Sequence, residues 1–239
     1  QWNALYDGRD RVVSEWFGAS PATRIERRYD LLGRATETVD PDAGRWRLRY
    51  DEAGNETFRD DPKPNESIQS CYDGLDRVVL QCVRASDAPD PSLCGQAQPA
   101  CVVAYRYRYD EATPILGTEN RGLGHLTTVE GPDSRHRYAY DVRGRMVLSV
   151  DEIQGTAGAT RYQYAPDLDR LEAMTYPDGE VVRTLYDASG QPSSLFEADA
   201  AGNLLAYYVR DVVYDLRGRP LSIERGNLTS DRFEYHGAS

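Results

Sequence analysis

The sequence is poor in the residues on which most metal and cofactor sites depend. It has 3 histidines, 2 methionines and 4 cysteines among 239 residues. His125, His136 and His236 lie far apart, without the spacing of a zinc motif such as His-Glu-x-x-His. His136 lies on an alternating segment, so we interpret it as a packed sheet residue. We expect no metal and no cofactor.

Signatures of catalysis and of phosphate binding are also missing. There is no Gly-x-Ser-x-Gly elbow, and Gly122-Leu123-Gly124 lacks the third glycine and the helix of a phosphate loop. The acidic pairs Asp60-Asp61 and Asp151-Glu152 fall short of the roughly six to eight oxygens that Ca²⁺ prefers. We therefore predict no catalytic residues and a protein that is not an enzyme.

Long apolar segments are absent. No stretch reaches the roughly 18 to 20 apolar residues of a membrane-spanning helix. Residues 1–5 show neither the basic nor the apolar region of a signal peptide. The net charge of −11 disfavours a general surface for nucleic acid or anionic lipid. We expect no nucleic-acid partner and no membrane insertion by this segment.

Tyrosine is what the chain has in abundance, with 17 Tyr against 4 Phe and 3 Trp. The tyrosines head a motif, Tyr-Asp-x-x-Gly-Arg, that recurs at intervals of 21 to 24 residues over most of the chain. A fixed period of this length indicates a repeat architecture, in which each unit packs against its neighbours. The motif residues of the full copies are Tyr29, Asp30, Gly33 and Arg34; Tyr140, Asp141, Gly144 and Arg145; and Tyr214, Asp215, Gly218 and Arg219. Near copies start at Tyr6, Tyr50, Tyr72, Tyr109 and Tyr186, and more degraded copies at Tyr164 and Tyr235.

Each repeat carries two turn signals. In the motif turn, the Asp accepts backbone N–H groups, the Gly takes a positive φ, and the Arg opens the returning strand. A second turn follows about half a period later, as in 40–44, 131–134, 176–179 and 199–203. Two turns per repeat leave two short strands. The prediction is an all-β repeat array of antiparallel β-hairpins that forms a curved strip or shell segment.

The strands that enter the motif turns alternate between two faces. In the segment 45–50, Trp, Leu and Tyr alternate with three arginines, which is typical of a sheet with one packed face and one wet face. Successive motif tyrosines would then occupy equivalent places, and we expect their rings to form a ladder. The alternative is that they are ordinary strand residues without mutual contact.

The repeats run from 6 to 236, so we predict a single array of about ten repeats, with an insertion around 83–104 and no separate second domain. The chain starts shortly before one motif tyrosine and stops shortly after another, without visible capping units. We therefore interpret it as a segment of a larger protein.

The cysteines Cys71, Cys82, Cys94 and Cys101 lie in or beside the long insertion. They contain no Cys-x-x-Cys pair, and we interpret them as structural disulfides of an exported protein. Free buried thiols are the alternative. If the segments 78–83 and 100–109 pair, a Cys82–Cys101 bridge would clamp the loop, leaving Cys71 and Cys94 to pair or stay free. A competing scheme joins Cys71 to Cys82 and Cys94 to Cys101.

Tyr-Asp-x-x-Gly-Arg followed by Pro-Asp-x-Gly at this spacing resembles the YD repeat of the RHS family. The resemblance implies a strip of β-hairpins that spirals into a hollow shell, as in bacterial Tc toxins, polymorphic toxins and the barrels of animal teneurins. In that family the shell encloses a toxic C-terminal polypeptide. The self-cleavage signature Asp-Pro-x-Gly-Leu and a following toxin domain have no counterpart here, so the segment resembles shell wall.

The resemblance implies flanking repeats of the same polypeptide and an encapsulated toxin as partners. It implies an extracellular or cell-surface location. Apart from Lys63, the basic residues are all arginine, a bias that we associate with a bacterial source. The alternative function is an extracellular module that binds glycans or a receptor through exposed aromatic rings and rows of arginine.

Overall fold

A computed structural model describes residues 1–18, 21–62, 66–85, 88–96, 101–166 and 169–235. In these ranges the chain forms nineteen β-strands and two short 3₁₀ turns, Pro21–Thr23 and Leu93–Gly95, and no α-helix. The all-β prediction is confirmed. None of the helical segments within these ranges is long and apolar enough to cross a membrane. Lys63 and His236 lie outside the described residues.

The chain divides into two compact units, the first of which comprises Gln1–Arg108 and Val129–Pro132. Consecutive strands of this unit pair antiparallel, from the first pair through to the last. The strands are β1 (Trp2–Tyr6), β2 (Val12–Phe17), β3 (Ile25–Tyr29), β4 (Ala35–Asp40), β5 (Gly44–Tyr50), β6 (Glu56–Asp60), β7 (Ser67–Tyr72), β8 (Val78–Arg84) and β9 (Val103–Tyr109).

The second unit comprises Tyr109–Thr128 and Asp133–Ser239, and the strand β10 (Leu126–Glu130) falls in the ranges of both units. The later strands again pair antiparallel, each with the next. They are β11 (Ser134–Tyr140), β12 (Met146–Ile153), β13 (Thr156–Tyr164), β14 (Leu171–Thr175), β15 (Val181–Tyr186), β16 (Pro192–Ala198), β17 (Leu204–Tyr214), β18 (Pro220–Arg225) and β19 (Ser230–Arg232). That the repeats form one array from 6 to 236 stays a prediction.

The motif turn closes each hairpin through one residue in the left-handed region. Gly33, Gly144 and Gly218 have φ of 90°, 75° and 78°, as predicted. In two repeats this position is held by aspartate, Asp10 with φ of 58° and Asp76 with φ of 60°. Aspartate tolerates this region because its short side chain can bond locally. The glycine of those repeats stands two residues earlier, so the sequence pattern alone points to the wrong residue.

The alternation of the strands is clear in β5 and weaker in β9. In β5 the arginines are exposed and the residues between them are half-buried. In β9 Tyr105 is exposed while Arg106 is half-buried, so the expected pattern is wrong there. The difference has a physical reason: an Arg stem can lie along a sheet and cover apolar surface while its head stays in water.

The buried apolar clusters lie beneath the two insertions. Leu93, from the loop between β8 and β9, packs with Cys71, Leu80 and Cys82. Ile115, from the segment that precedes β10, packs with Ala139, Leu148 and Val150. Cys71 directly precedes the motif tyrosine Tyr72, and Ala139 directly precedes Tyr140. Because side chains alternate along a strand, each of these clusters lies on the sheet face opposite the tyrosine. Each insertion therefore lies over the sheet face opposite that tyrosine.

We expect Gly144→Ala to lower the free energy of unfolding by more than about 1 kcal/mol, because a Cβ is strained at this φ. That Cβ would also lie 2.7 Å from His125 Nε2. The matched control is Gly74→Ala, at an exposed turn glycine whose φ is not positive and whose Cβ would meet no atom within 4 Å. In denaturant unfolding, the free energy of unfolding of Gly74→Ala should equal or exceed that of the wild type. Equal effects of the two changes would contradict the turn geometry.

Candidate functional site at the repeat junctions

The carboxylate of the motif aspartate organises the whole turn. In the repeat of Tyr140, Asp141 Oδ1 accepts the backbone N–H groups of Arg143 at 2.8 Å and Arg145 at 3.0 Å. The other oxygen, Oδ2, accepts the side-chain Nε–H of Arg145 at 2.7 Å. One carboxylate thus closes the turn and fixes a guanidinium. The same three hydrogen bonds are made by Asp7, Asp30, Asp73 and Asp215 with their own repeats.

The arginine that is held in this way lies over the tyrosine ring of the following repeat. For example, the guanidinium carbon of Arg34 lies 4.6 Å from the centre of the Tyr50 ring. A cation within about 6 Å of a ring face is attracted by the ring's quadrupole. The further pairs with such an arginine are Arg11 with Tyr29 at 4.7 Å, Arg145 with Tyr164 at 4.6 Å and Arg219 with Tyr235 at 4.1 Å. Arg170 also lies over a ring, 5.4 Å from the centre of Tyr186, although Ala165 stands where its repeat would have the aspartate.

The sequence predicted a ladder in which the motif tyrosine rings contact one another, and at these positions that prediction is wrong. The partner of each ring is an arginine of the preceding repeat and not another tyrosine. The spacing explains this, because the motif arginine and the next motif tyrosine lie on neighbouring hairpins. A planar guanidinium stacks well on an aromatic face, and it brings further donors to the contact. Arg34 Nη1, for instance, also donates to the Asp51 carbonyl at 3.0 Å.

The tyrosine hydroxyl completes the contact by bonding the backbone of the preceding repeat. Tyr50 Oη donates to the Ala35 carbonyl at 2.9 Å, at the start of the strand that leaves the previous motif turn. We call this combination of Arg–ring contact and hydroxyl–carbonyl bond the junction. Equivalent hydroxyl bonds link Tyr29 to Val12, Tyr72 to Glu56, Tyr140 to Leu126, Tyr164 to Met146, Tyr186 to Leu171, Tyr214 to Pro192 and Tyr235 to Pro220.

One repeat contains a motif turn that is split by an insertion, which the sequence analysis missed. Asp110 Oδ1 accepts the backbone N–H of Gly124 at 2.6 Å, and Asp110 N–H bonds the His125 carbonyl at 3.2 Å. Gly124 has the positive φ of a motif glycine, 81°. His125 takes the place of the arginine: its ring stacks on Tyr140 with centroids 4.4 Å apart. The segment 111–121 is thus inserted inside the turn, and the pair Gly124-His125 was the available signal.

The guanidinium and the turn amides keep the motif aspartates ionised. The side-chain hydrogen bond from Arg11 lowers the pKa of Asp7 to about 2. The pKa of Asp73 is lowered, mainly by the hydrogen bond from the Arg77 side chain. A carboxylate with a depressed pKa holds its charge-assisted hydrogen bonds over the physiological pH range.

The cysteines tie the longest insertion to the sheet. Cys82 is joined to Cys101 and Cys71 to Cys94, with Cα–Cα distances of 5.4 and 5.5 Å. The Cys82–Cys101 bond is the one predicted to clamp the loop between the segments 78–83 and 100–109. Strand register explains why Cys71 does not reach Cys82, since Cys71 lies opposite Leu80. Closing a loop of 19 residues stabilises the fold by about 3 kcal/mol on the chain-entropy model.

The remaining titratable candidates are engaged in local pairs. His136 Nδ1 lies 2.6 Å from Asp151 Oδ1 on the adjacent strand, and Glu152 accepts from Arg137 at 2.7 Å. Asp60 faces Arg47 at 3.4 Å. Across the described ranges, no group of three His, Cys, Asp or Glu residues is placed to hold a metal ion. These pairs link neighbouring strands and residues of the sheet.

Comparison with known proteins supports the repeat assignment. The family model of the RHS repeat matches residues 29–63. No curated protein matches the chain in sequence. Among solved structures, TcdB2-TccC3-Cdc42 and TcdB2-TccC3 without its hypervariable C-terminal region each align with a TM-score of 0.61 at 14% identity. TcdB2-TccC3 aligns with a TM-score of 0.59, also at 14% identity.

These alignments cover 98% of this chain but only 13 to 14% of the chains that it matches. At this level of identity the likeness shows a shared fold. The chain spans a small part of the length of those proteins, and the activity and partners of the whole proteins do not transfer with the fold.

We expect Tyr50→Phe to lower the free energy of unfolding by about 1 kcal/mol, because the Ala35 carbonyl loses its hydroxyl partner. Tyr6→Phe is the matched control at a motif tyrosine that is 60% exposed, and it should change stability by less than about 0.5 kcal/mol. Urea unfolding measures both. A Tyr50→Phe protein as stable as the wild type would show that the hydroxyl bond does not hold the junction.

Acid should weaken the motif turns. The pKa of Asp7 in the folded protein, about 2, lies below the value of about 3.9 for an unfolded aspartate. Its contribution to stability is therefore complete above about pH 4 and is lost as the pH falls toward about 2. Asp7→Asn should be less stable than the wild type at about pH 6 and should lose less stability between about pH 4 and 2.

The control for this pH series is Asp42→Asn, on an exposed turn residue outside the Asp–Arg pairs. Its unfolding free energy should fall with pH as steeply as that of the wild type. If the free energy of unfolding of Asp7→Asn and that of the wild type fell in parallel between about pH 4 and 2, protonation of Asp7 would not be a source of the acid sensitivity.

Proposed function

From the match of residues 29–63 to the RHS repeat and the fold shared with TcdB2-TccC3, we propose that this chain is a wall segment of a larger secreted or surface protein, which encloses or presents another polypeptide. The observation that carries the proposal is the junction. At a junction, the arginine of one repeat contacts the tyrosine ring of the next, and the hydroxyl of that tyrosine bonds the backbone of the repeat before it, so the motif residues link neighbouring repeats of the sheet.

The distribution of burial fits a wall. The motif tyrosines Tyr29, Tyr50 and Tyr72 are half-buried, and their hydroxyls point to backbone carbonyls. The clusters of buried apolar residues lie beneath the two insertions, and the other buried apolar side chains, such as Phe58 and Phe196, lie on strands outside these clusters. A thin sheet that is held by nearest-neighbour contacts can be extended repeat by repeat, as solenoid proteins are.

A binding module for glycans or a receptor is the competing function. Stacking of sugars needs rings that are open to solvent, and this chain has some of them, such as Tyr105, Tyr176 and Tyr208 at 38%, 37% and 42% exposure. They lie outside the repeated motif, and the hydroxyl of Tyr208 is bonded to Glu180. The repeated feature of the chain therefore favours the structural role.

The wall proposal is tested in the intact parent polypeptide by limited proteolysis. The enclosed polypeptide should stay uncut in the wild type and become sensitive when three junctions are broken by Arg34→Ala, Arg145→Ala and Arg219→Ala. The control replaces three exposed arginines away from the junctions, Arg49, Arg217 and Arg232, by alanine and should stay protected. Equal sensitivity of the wild type and both variants would reject enclosure.

A glycan array probed with the 239-residue chain separates the alternatives. The wall proposal predicts no saturable binding. Saturable binding that is abolished by Tyr208→Ala and kept by Tyr208→Phe would favour the binding module instead, because the ring and not the hydroxyl stacks on a sugar.

A further inference from the structure

A small cavity lies within the second unit, between the inserted segment 111–121 and the strands β10 and β11. Its volume is 240 Å³. In its lining, Ile115, Asn120 and Thr128 are buried, Arg137 is half-buried and Thr113 is exposed. This cavity is independent of the junctions and of the proposed wall function, since none of its lining residues belongs to a junction.

Asn120, which borders this cavity, has a side-chain hydrogen-bond donor without an acceptor in the protein. The residue is 3% exposed, and its Oδ1 accepts the backbone N–H of Tyr140 at 3.1 Å. This bond fixes the orientation of the amide, because the amide nitrogen could not accept that N–H. Nδ2 is buried without a partner. A buried donor in this state costs roughly 1 to 3 kcal/mol, so the site favours anything that brings an acceptor.

A second donor of the same kind belongs to Arg137. Its Nη2 donates to Glu152 Oε1 at 2.7 Å, while its Nε is buried and has no partner. The pair of unpartnered N–H groups therefore comes from two different elements, the insertion and β11. Both elements border the same cavity.

The acidic side chain that borders the cavity does not supply the missing acceptor. Glu111 Oε2 accepts the hydroxyls of Thr127 and Thr128 at 2.8 and 2.7 Å. A ligand that satisfies both N–H donors, one of which belongs to a guanidinium, needs two oxygen acceptors. A carboxylate has this geometry, and arginine is the residue that recognises it best.

We propose that this cavity binds a small carboxylate, whose oxygens accept from Asn120 Nδ2 and Arg137 Nε. The volume lies below the roughly 300 to 1,000 Å³ of drug-sized pockets, which limits the ligand to a few carbon atoms around the carboxylate. Such a group can come from a free small acid or from an Asp or Glu side chain of a polypeptide segment. The shared chemistry is the carboxylate itself.

The test is a titration of the 239-residue chain, followed by NMR or calorimetry at constant ionic strength. The probes are sodium acetate, succinate and glutamate in one arm and the peptide acetyl-Gly-Asp-Gly-amide in the other, with sodium chloride as the reference. Saturable binding of a probe is expected. Binding of free acids but not the peptide identifies a metabolite site, and tighter binding of the peptide identifies a polypeptide anchor.

Asn120→Asp keeps the acceptor for Tyr140 N–H and replaces the free donor by a charged oxygen. It should weaken carboxylate binding by at least about tenfold, which corresponds to about 1.4 kcal/mol. The matched control, Asn227→Asp, makes the same change at an exposed loop residue and should leave binding within about twofold of the wild type, or about 0.4 kcal/mol.

Arg137→Lys is the second variant, because the charge in Asn120→Asp could unfold the region. It removes the Nε donor but keeps a cation opposite Glu152. Asn120 also borders a larger cavity of 710 Å³ that Arg137 does not line, so loss of binding in both variants assigns the ligand to the smaller cavity. Circular dichroism verifies the fold of each variant. Absence of saturable binding, equal binding by all variants, or a soaked crystal with only water at Asn120 would overturn the proposal.

Discussion

In four repeats, those of Asp7, Asp30, Asp141 and Asp215, the carboxylate of the motif aspartate performs two tasks with its two oxygens. Oδ1 holds the amides of its own turn, and Oδ2 holds the guanidinium that covers the tyrosine ring of the next repeat, as Asp30, Arg34 and Tyr50 do. The same carboxylate thus positions the arginine that contacts the next repeat. Local turn closure and contact between repeats are therefore coupled, and the order of the sheet depends on that coupling.

This arrangement explains how a sheet with little buried apolar surface can hold together. Within each unit, backbone ladders link neighbouring hairpins, and junctions add to them in several repeats. The larger apolar clusters form where an insertion covers the sheet, under Leu93 and under Ile115. The disulfides Cys71–Cys94 and Cys82–Cys101 attach the first of these covers. The second is attached through the split motif turn, since Asp110 and Gly124 lie on either side of it.

The sequence was most informative where the physical cause is local. The left-handed φ of Gly144 follows from the steric freedom of glycine in a short turn, and the alternation of β5 follows from the pleat of a strand. It was less informative where a second residue can serve the same purpose. Asp76 replaces the turn glycine, and His125 replaces the arginine, so a search for the literal motif misses both.

The sequence by itself determined the all-β class, the two turns of each repeat and the resemblance to the RHS repeat, because these rest on periodicity and on backbone preferences of single residues. Only the tertiary structure decided what each tyrosine meets, which cysteines pair and that Asn120 and Arg137 line the same cavity. These depend on the register between strands and on the path of the insertions. Register brings together residues that are far apart in the chain, and no local preference specifies it.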